Sequence, residues 1–152
     1  MNSTEKKFNL RVYGLLVNSK GAVLLSKEHK SDFNFIKFPG GGLEWGEGIQ
    51  DCLKREFKEE LGIEIEIQNH FYTTDFFQES VFNINDQLIS VYYLVKSKET
   101  DSIENGRMSI DKKAPNDFFI WKQLKEVEAD YVTFPIDRFV LKKLKTYLSV
   151  EV

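Results

Sequence analysis

With 152 residues, 41% of them hydrophobic and 30% charged, the chain has the length of one domain and the balance of a globular protein, which excludes a disordered or fibrous polypeptide. The 21 basic and 24 acidic residues leave a net charge of −3, too little positive field for a nucleic acid as the main partner. A lone cysteine, Cys52, excludes an internal disulfide, the first ten residues carry no secretory-type apolar stretch, and no run approaches the ~18 apolar residues of a membrane span, so a reducing, cytoplasmic setting without a membrane partner is expected.

In chain order, Phe8 to Asn18 is rich in β-branched and aromatic residues, and a second apolar run, Ala22 to Leu25, follows Ser19-Lys20-Gly21; the pattern predicts a β-hairpin. Lys27 to Asn34 is polar and charged, and it leads into FIKFPGGG, where Pro39 and three consecutive glycines predict a loop without regular structure. From about Gly48 to Leu61, the residues Ile49, Leu53, Phe57 and Leu61 recur every fourth position and predict a helix with one apolar side, closed by Gly62. Ile63 to Ile67 alternates as a strand does, and strands around Phe71 to Phe77 and Leu88 to Val95 flank the turn-forming Asn83 to Gln87. Lys96 to Asn116, with Gly106 and Pro115, reads as weakly ordered, and Phe118 to Trp121 as one more short strand. Two helices are expected to close the chain: a short one at about Gln123 to Glu128, and a longer one after Pro135 with Ile136, Phe139, Val140, Leu144 and Tyr147 as its apolar stripe. This order favours an α/β (α+β) fold, a mixed β-sheet with helices on its two faces, in a single domain over residues 1–152.

The informative segment is GGLEWGEGIQDCLKREFKEELGI, residues 41–63. At about 100° per residue, Glu56, Glu59 and Glu60 span an arc of roughly 100° beside the apolar stripe of the helix, so their side chains can converge. Like charges so close raise each other's pKa and weaken the helix unless a cation compensates them. Clustered carboxylate oxygens are what Mg²⁺ or Mn²⁺ accept. Without side chains, Gly40, Gly41 and Gly42 would let a backbone carbonyl reach a metal or an N–H reach a phosphate.

The segment resembles the Nudix box: a Gly, five residues, a Glu, seven residues, then Arg-Glu-apolar-x-Glu-Glu-x-Gly-apolar. Gly41, Glu47, Arg55, Glu56, Phe57, Glu59, Glu60, Gly62 and Ile63 fill all nine specified positions. Its seven fixed letters would match by accident with odds on the order of 10⁻⁸ per start. The resemblance implies the family's α/β/α sandwich and a metal-dependent hydrolysis of a nucleoside diphosphate linked to another moiety. It implies Glu56, Glu59 and Glu60 as metal ligands, with the Gly40 carbonyl a further one. Glu56 would also take the proton of the attacking water, and Arg55 would orient a neighbouring carboxylate. Glu56, Arg55 and Glu59 form the expected catalytic group, while Gly41, Glu47 and Gly62 hold the motif's shape, with Glu47 bracing Arg55.

Candidates outside the box are Lys27, Glu79 and Asp117 for the substrate, together with the backbone of Gly41 and Gly42. Trp45, Phe35 and Phe77 are candidates for stacking on a base, although aromatic residues in so aromatic a domain are more often core. His29 and His70 lack metal-ligand spacing, and Cys52 reads as a small buried filler. Glu79 stands where an ADP-ribose-type member would have proline, and no tyrosine occupies 79–81, so the substrate stays open among nucleoside triphosphates, oxidised nucleotides, nucleotide sugars and capped RNA 5′ ends. A homodimer is compatible with the resemblance. The rivals are a non-catalytic nucleotide-binding domain of the same fold and isomerase chemistry on isoprenoid diphosphates.

Because the clustered glutamates repel one another without a cation, millimolar Mg²⁺ is expected to raise the melting temperature by mass action. A flat melting curve across wide Mg²⁺ and Mn²⁺ titrations would count against the site.

Overall fold

From Val12 to Leu16, strand β1 (Lys7–Leu16) is apolar and buried on both of its sides, and the computed structural model, which describes residues 5–150, shows why. It lies inside a mixed sheet of order β4-β1-β6-β5, antiparallel to β4 (Gly40–Gly42) and parallel to β6 (Asp86–Lys96), while β5 (Glu66–Thr73) pairs antiparallel with β6. A second, antiparallel sheet has the order β3-β2-β8-β7, from β2 (Ala22–Lys30), β3 (Phe33–Lys37), β7 (Arg107–Met108) and β8 (Phe118–Gln123). Successive strand residues point to opposite faces, so a strand covered on both sides must be apolar throughout.

The two helices supply those covers. Helix α1 (Ile49–Leu61) buries Cys52, Leu53, Phe57 and Leu61 against Val12, Leu16, Leu24, Val95 and Phe119. Helix α2 (Pro135–Val150) buries Ile136, Val140, Leu141 and Leu144 against Tyr13, Leu15, Val23, Leu25, Tyr92 and Ile120. Neighbouring residues of β1 therefore belong to different cores, and the architecture is the expected α+β sandwich with a mixed sheet. Among the described residues no helix is long and apolar enough to cross a membrane. Residues 1–4 and 151–152, the ends of the expected domain, lie outside the described residues.

Several local expectations give way to tertiary packing. The predicted hairpin has its turn, where the Asn18 side chain accepts the amides of Lys20 and Ala22, but only the bridge Val17↔Val23 joins the two strands. Beyond it β1 and β2 part into different sheets, because each finds longer partners there. The glycine run is no loop: Gly40–Gly42 forms the edge strand β4, and the polar stretch before it continues β2 and starts β3. Gln123 to Glu128 is not a helix but a single turn in which Glu126 and Val127 donate to the Gln123 carbonyl; burial of Leu124 and Val127 needs no more. In α1 the first stripe residue, Ile49, is exposed and Cys52 takes its place; in α2 Phe139 and Tyr147 are exposed and Leu141 is buried instead. Strand β5 begins at Glu66 and ends at Thr73, later and earlier than the alternation suggested. Within 96–116, Arg107 donates to the Leu61 carbonyl and the Ile110 amide to the Glu60 carbonyl, tying the segment to the C-terminal end of α1.

Gly14 is where β1 meets α1: a Cβ there would stand 2.7 Å from the fully buried Phe57 ring. Gly14→Ala is expected to cost about 1–3 kcal/mol in urea unfolding, and Phe57→Leu in the same chain to recover part of that loss. Strictly additive losses in the double variant would show that the two do not touch.

Candidate active site

Gly48 precedes the first turn of α1 without a side-chain cap, its carbonyl accepting the Cys52 amide. At the other end Gly62 adopts φ +70°, donates to the Lys58 carbonyl and turns Ile63 into the core. The apolar side of the helix fixes its rotation. Glu56 and Glu60 then fall on the flank nearest the strands, and Arg55 and Glu59 farther out.

Arg55 is the hub of the outer layer. It donates to both oxygens of Glu47, at 2.9 and 2.7 Å, to Glu56 at 3.1 Å, to Glu59 at 3.2 Å and to the Gly42 carbonyl at 3.2 Å. These charge-assisted bonds use the planar fork of the guanidinium fully. Arg55 holds the Glu47 carboxyl well below the usual range, at about 2, and Glu47 in turn accepts the Glu44 amide. Cys52 is wholly buried with its thiol toward the Gly42 carbonyl, and burial, then Glu47, push its pKa up to about 12, so it offers no thiolate.

The inner layer comes from the strands. Lys37, 4% exposed, pairs with Glu28 at 2.8 Å and donates to the Phe38 and Gly40 carbonyls at 3.3 and 3.2 Å. Burial opposes ionisation of Glu28, but Lys37 outweighs it and holds that carboxyl below the usual range. Glu60 goes the other way: burial pushes it up to about 8, Lys37 pulls it back only partly, and Glu28, Glu56 and Asp111 add repulsion. Burial likewise raises Glu56 against the pull of Arg55 and Lys37. Glu56 lies against the backbone of β4, since a Cβ on Gly41 would stand 2.5 Å from its Oε1.

The glycines act by shape. Gly40 has φ +147°, and a Cβ there would come within 2.1 Å of the Val12 carbonyl oxygen. Gly41 pairs with Val12 inside the β1–β4 ladder, so its amide is turned toward β1 and not toward a ligand. The outward carbonyls of Gly40 and Gly42 are the ones that Lys37 and Arg55 address.

A cavity of about 810 Å³ lies between the two sheets beside this layer, lined among others by Arg11, Tyr13, Glu28 and Lys37. Its far end is aromatic, where Phe33, Phe35, Phe82 and Phe134 contact one another at centroid distances of 5.3–6.1 Å. Glu79 lines that far end, away from the box, and is exposed. Phe35 lines the cavity; Trp45 and Phe77 are exposed and do not. Lys27 is turned onto the Phe118 ring, 5.7 Å away, and not into the cavity. Asp117 accepts the His29 amide at 3.2 Å, and burial, then Glu28, raise its carboxyl; it borders the acidic cluster without lining the cavity. His29 faces Asn34 and His70 faces Thr73, both on the surface.

In kind the donors fit a hard divalent cation: carboxylates of Glu56, Glu59, Glu60 and Glu28 beside the Gly40 carbonyl. As they stand, however, no three acidic, His or Cys side chains among the described residues converge on one point. Glu59 is tied to Arg55, and the Gly40 carbonyl is already met by Lys37, so these side chains would have to turn to hold an ion.

Sequence reasoning missed Arg11, Glu28, Lys37 and Asp137. Asp137, buried in the first turn of α2 and bonded by the Tyr92 hydroxyl at 2.5 Å, also lines the cavity, and burial pushes it to about 6. For Arg11 and Lys37 the available signal was a charged residue interrupting an apolar strand, as in LRVYG and FIKFP.

Residues 7–141 match the family described as NUDIX domain. No curated protein matches the sequence. In fold, the chain is similar to the MutT protein of Methanosarcina mazei Go1, with a TM-score of 0.71 at 19% identity over 95% of this chain and 98% of that one. It is also similar to the ORF135 protein of E. coli (0.69, 19% identity, 95% and 94% covered) and to a MutT NUDIX hydrolase of Burkholderia pseudomallei (0.68, 18% identity, 90% and 98% covered).

The folded state holds the Glu60 proton up to about pH 8, while an unfolded glutamate releases it near pH 4.3, so metal-free stability should fall as pH rises through that window. In chelator-treated protein, Glu60→Gln is expected to flatten this decline. Equal slopes of melting temperature against pH in the two proteins would show that Glu60 is not its source.

Proposed function

From the premise that this chain belongs to the Nudix family, we propose that it is a cytoplasmic pyrophosphohydrolase. Its reaction is hydrolysis of a phosphoanhydride bond in a nucleoside diphosphate linked to a further group, with Mg²⁺ or Mn²⁺ as cofactor. The observation that carries this reading is a junction. Two shielded carboxylates with raised pKa, Glu56 and Glu60, both feel the charge of Lys37, and Glu60 also that of Glu28; Lys37 and Glu28 in turn line a cavity of nucleotide size.

Glu56 accepts the proton of the attacking water; its raised pKa brings it toward the range in which a carboxylate works as a base near neutral pH. Arg55 fixes the Glu56 oxygen on one side, and Gly41, by lacking a side chain, leaves room for the carboxylate on the other. Glu47 holds Arg55 in its rotamer. Glu59 and Glu60, with the Gly40 carbonyl, are the further groups that would hold the cation. When bound, a divalent cation would supply neutralisation of the negative charge that develops on the phosphates and acidify a bound water. The aromatic end of the cavity would take the nucleoside, and the fixed hydrogen bonds around Glu56 provide the preorganised field from which most of the acceleration should come.

The test is release of nucleotide and phosphate from a panel of nucleoside triphosphates, oxidised nucleotides, nucleotide sugars and capped RNA 5′ ends with Mg²⁺. Glu56→Gln is expected to lower kcat about 10²–10⁴-fold with a smaller change in KM. A panel in which nothing turns over while one nucleotide binds tightly would replace the hydrolase with a nucleotide-binding domain.

A further inference from the structure

Three cations face the junction of cavity and glycine strand, and two of them are saturated. Arg55 is consumed by Glu47, Glu56, Glu59 and the Gly42 carbonyl, and Lys37 by Glu28 and two backbone carbonyls. Arg11 is different. Its Nε donates to the Tyr13 hydroxyl at 2.5 Å, its guanidinium carbon lies 5.6 Å from the Tyr13 ring centre, and among the described residues it forms no ion pair within 4.0 Å. Glu28 and Glu56 are near enough to act on it electrostatically, yet neither touches it. Its Nη1 lies at Gly42, 3.5 Å from where a Cβ would be, on the strand whose carbonyl Arg55 holds.

A half-shielded guanidinium without a carboxylate partner is costly, because its donors lose water and gain little in return. The backbone beneath it is fixed: Arg11 pairs with Gly42 of β4 on one side and Ser90 of β6 on the other. With Nε committed to Tyr13, Nη1 and Nη2 of this cavity-lining residue remain for a ligand, and a guanidinium edge of that kind fits two oxygens of one phosphate.

We infer that Arg11, oriented by Tyr13, binds the phosphate group of the substrate nearest the nucleoside, between the aromatic end of the cavity and the glutamates of α1. The inference rests on the proposed phosphoanhydride chemistry for the identity of the ligand. It adds a residue outside the Nudix box that sets how strongly the nucleotide, as distinct from the nucleoside, is held. Tyr13 is a positioning residue in this arrangement: it acts on the phosphate only through Arg11.

The test is calorimetry on the full chain with Mg²⁺, comparing common ribo- and deoxyribonucleoside monophosphates with their parent nucleosides. The wild type should prefer the monophosphate, and Arg11→Met should cut that preference by about ten- to hundredfold while leaving nucleoside affinity within about twofold. Arg11→Lys should recover part of it, since it keeps the charge but not the fork. Tyr13→Phe, which removes no charge, should reduce the preference by a smaller factor and serves as the second probe if Arg11→Met does not fold. An unchanged preference in a folded Arg11→Met or Tyr13→Phe protein overturns the inference, as does failure of the wild type to bind any monophosphate more tightly than its nucleoside. If Glu56→Gln abolishes turnover but Arg11→Met leaves the preference intact, the phosphate site is wrong and the hydrolase stands. If the wild type turns nothing over while Arg11→Met still removes the preference, the reaction is wrong and the phosphate site stands.

Discussion

The approach of the glycine strand β4 to β1 constrains everything around the site. At Gly40 a side chain would run into the Val12 carbonyl, and at Gly41 it would occupy the place of the Glu56 carboxylate. Removing two side chains thus lets an edge strand close the sheet and, on its outer face, lets a helix bring a carboxylate against the backbone. The outward carbonyls of Gly40 and Gly42 become acceptors for Lys37 and Arg55, so one short strand links the inner and outer layers of charge.

Those layers differ in how they treat charge. Arg55 and Glu47 make a saturated pair whose two fork bonds hold each partner in place. Glu56 and Glu60 are left with less compensation than their burial demands, and their raised pKa values follow from that imbalance. Carboxylates held in this way would gain from a cation, and the same imbalance raises the carboxyl of Glu56, the proposed proton acceptor. Arg11 has the opposite deficit, positive charge without a touching anion among the described residues. On the proposed reading, a ligand with phosphates at one end and an aromatic ring at the other would run from these glutamates past Arg11 to the aromatic end of the cavity.

The sandwich supports the site through alternation. Since β1 sends Val12, Gly14 and Leu16 to the α1 side and Tyr13 and Leu15 to the α2 side, a shift of one residue would exchange both cores at once. The register of β1 against β4 is fixed by the same packing, and with it the position of Arg11 opposite Gly42. Site geometry is in this sense a by-product of burying both faces of one strand.

The sequence by itself determined the parts whose causes are local. Helix α1 is legible because its apolar period and its terminal Gly62 are written in neighbouring residues, and the Nudix box is legible because its spacing is that of a single helix and its approach. The strands β1, β6 and β8 and the helix after Pro135 were visible for the same reason. Only the tertiary structure decided the rest. Whether Phe8–Asn18 and Ala22–Leu25 pair with each other depends on longer partners far along the chain, and three glycines become a strand only because β1 offers them a ladder. Likewise Lys27, plausible from its position after a strand, is turned toward Phe118, while Glu28, one residue on, meets Lys37 and the cavity. A charged residue's role follows from which distant groups share its burial, and that is set by packing between elements, to which local pattern is blind.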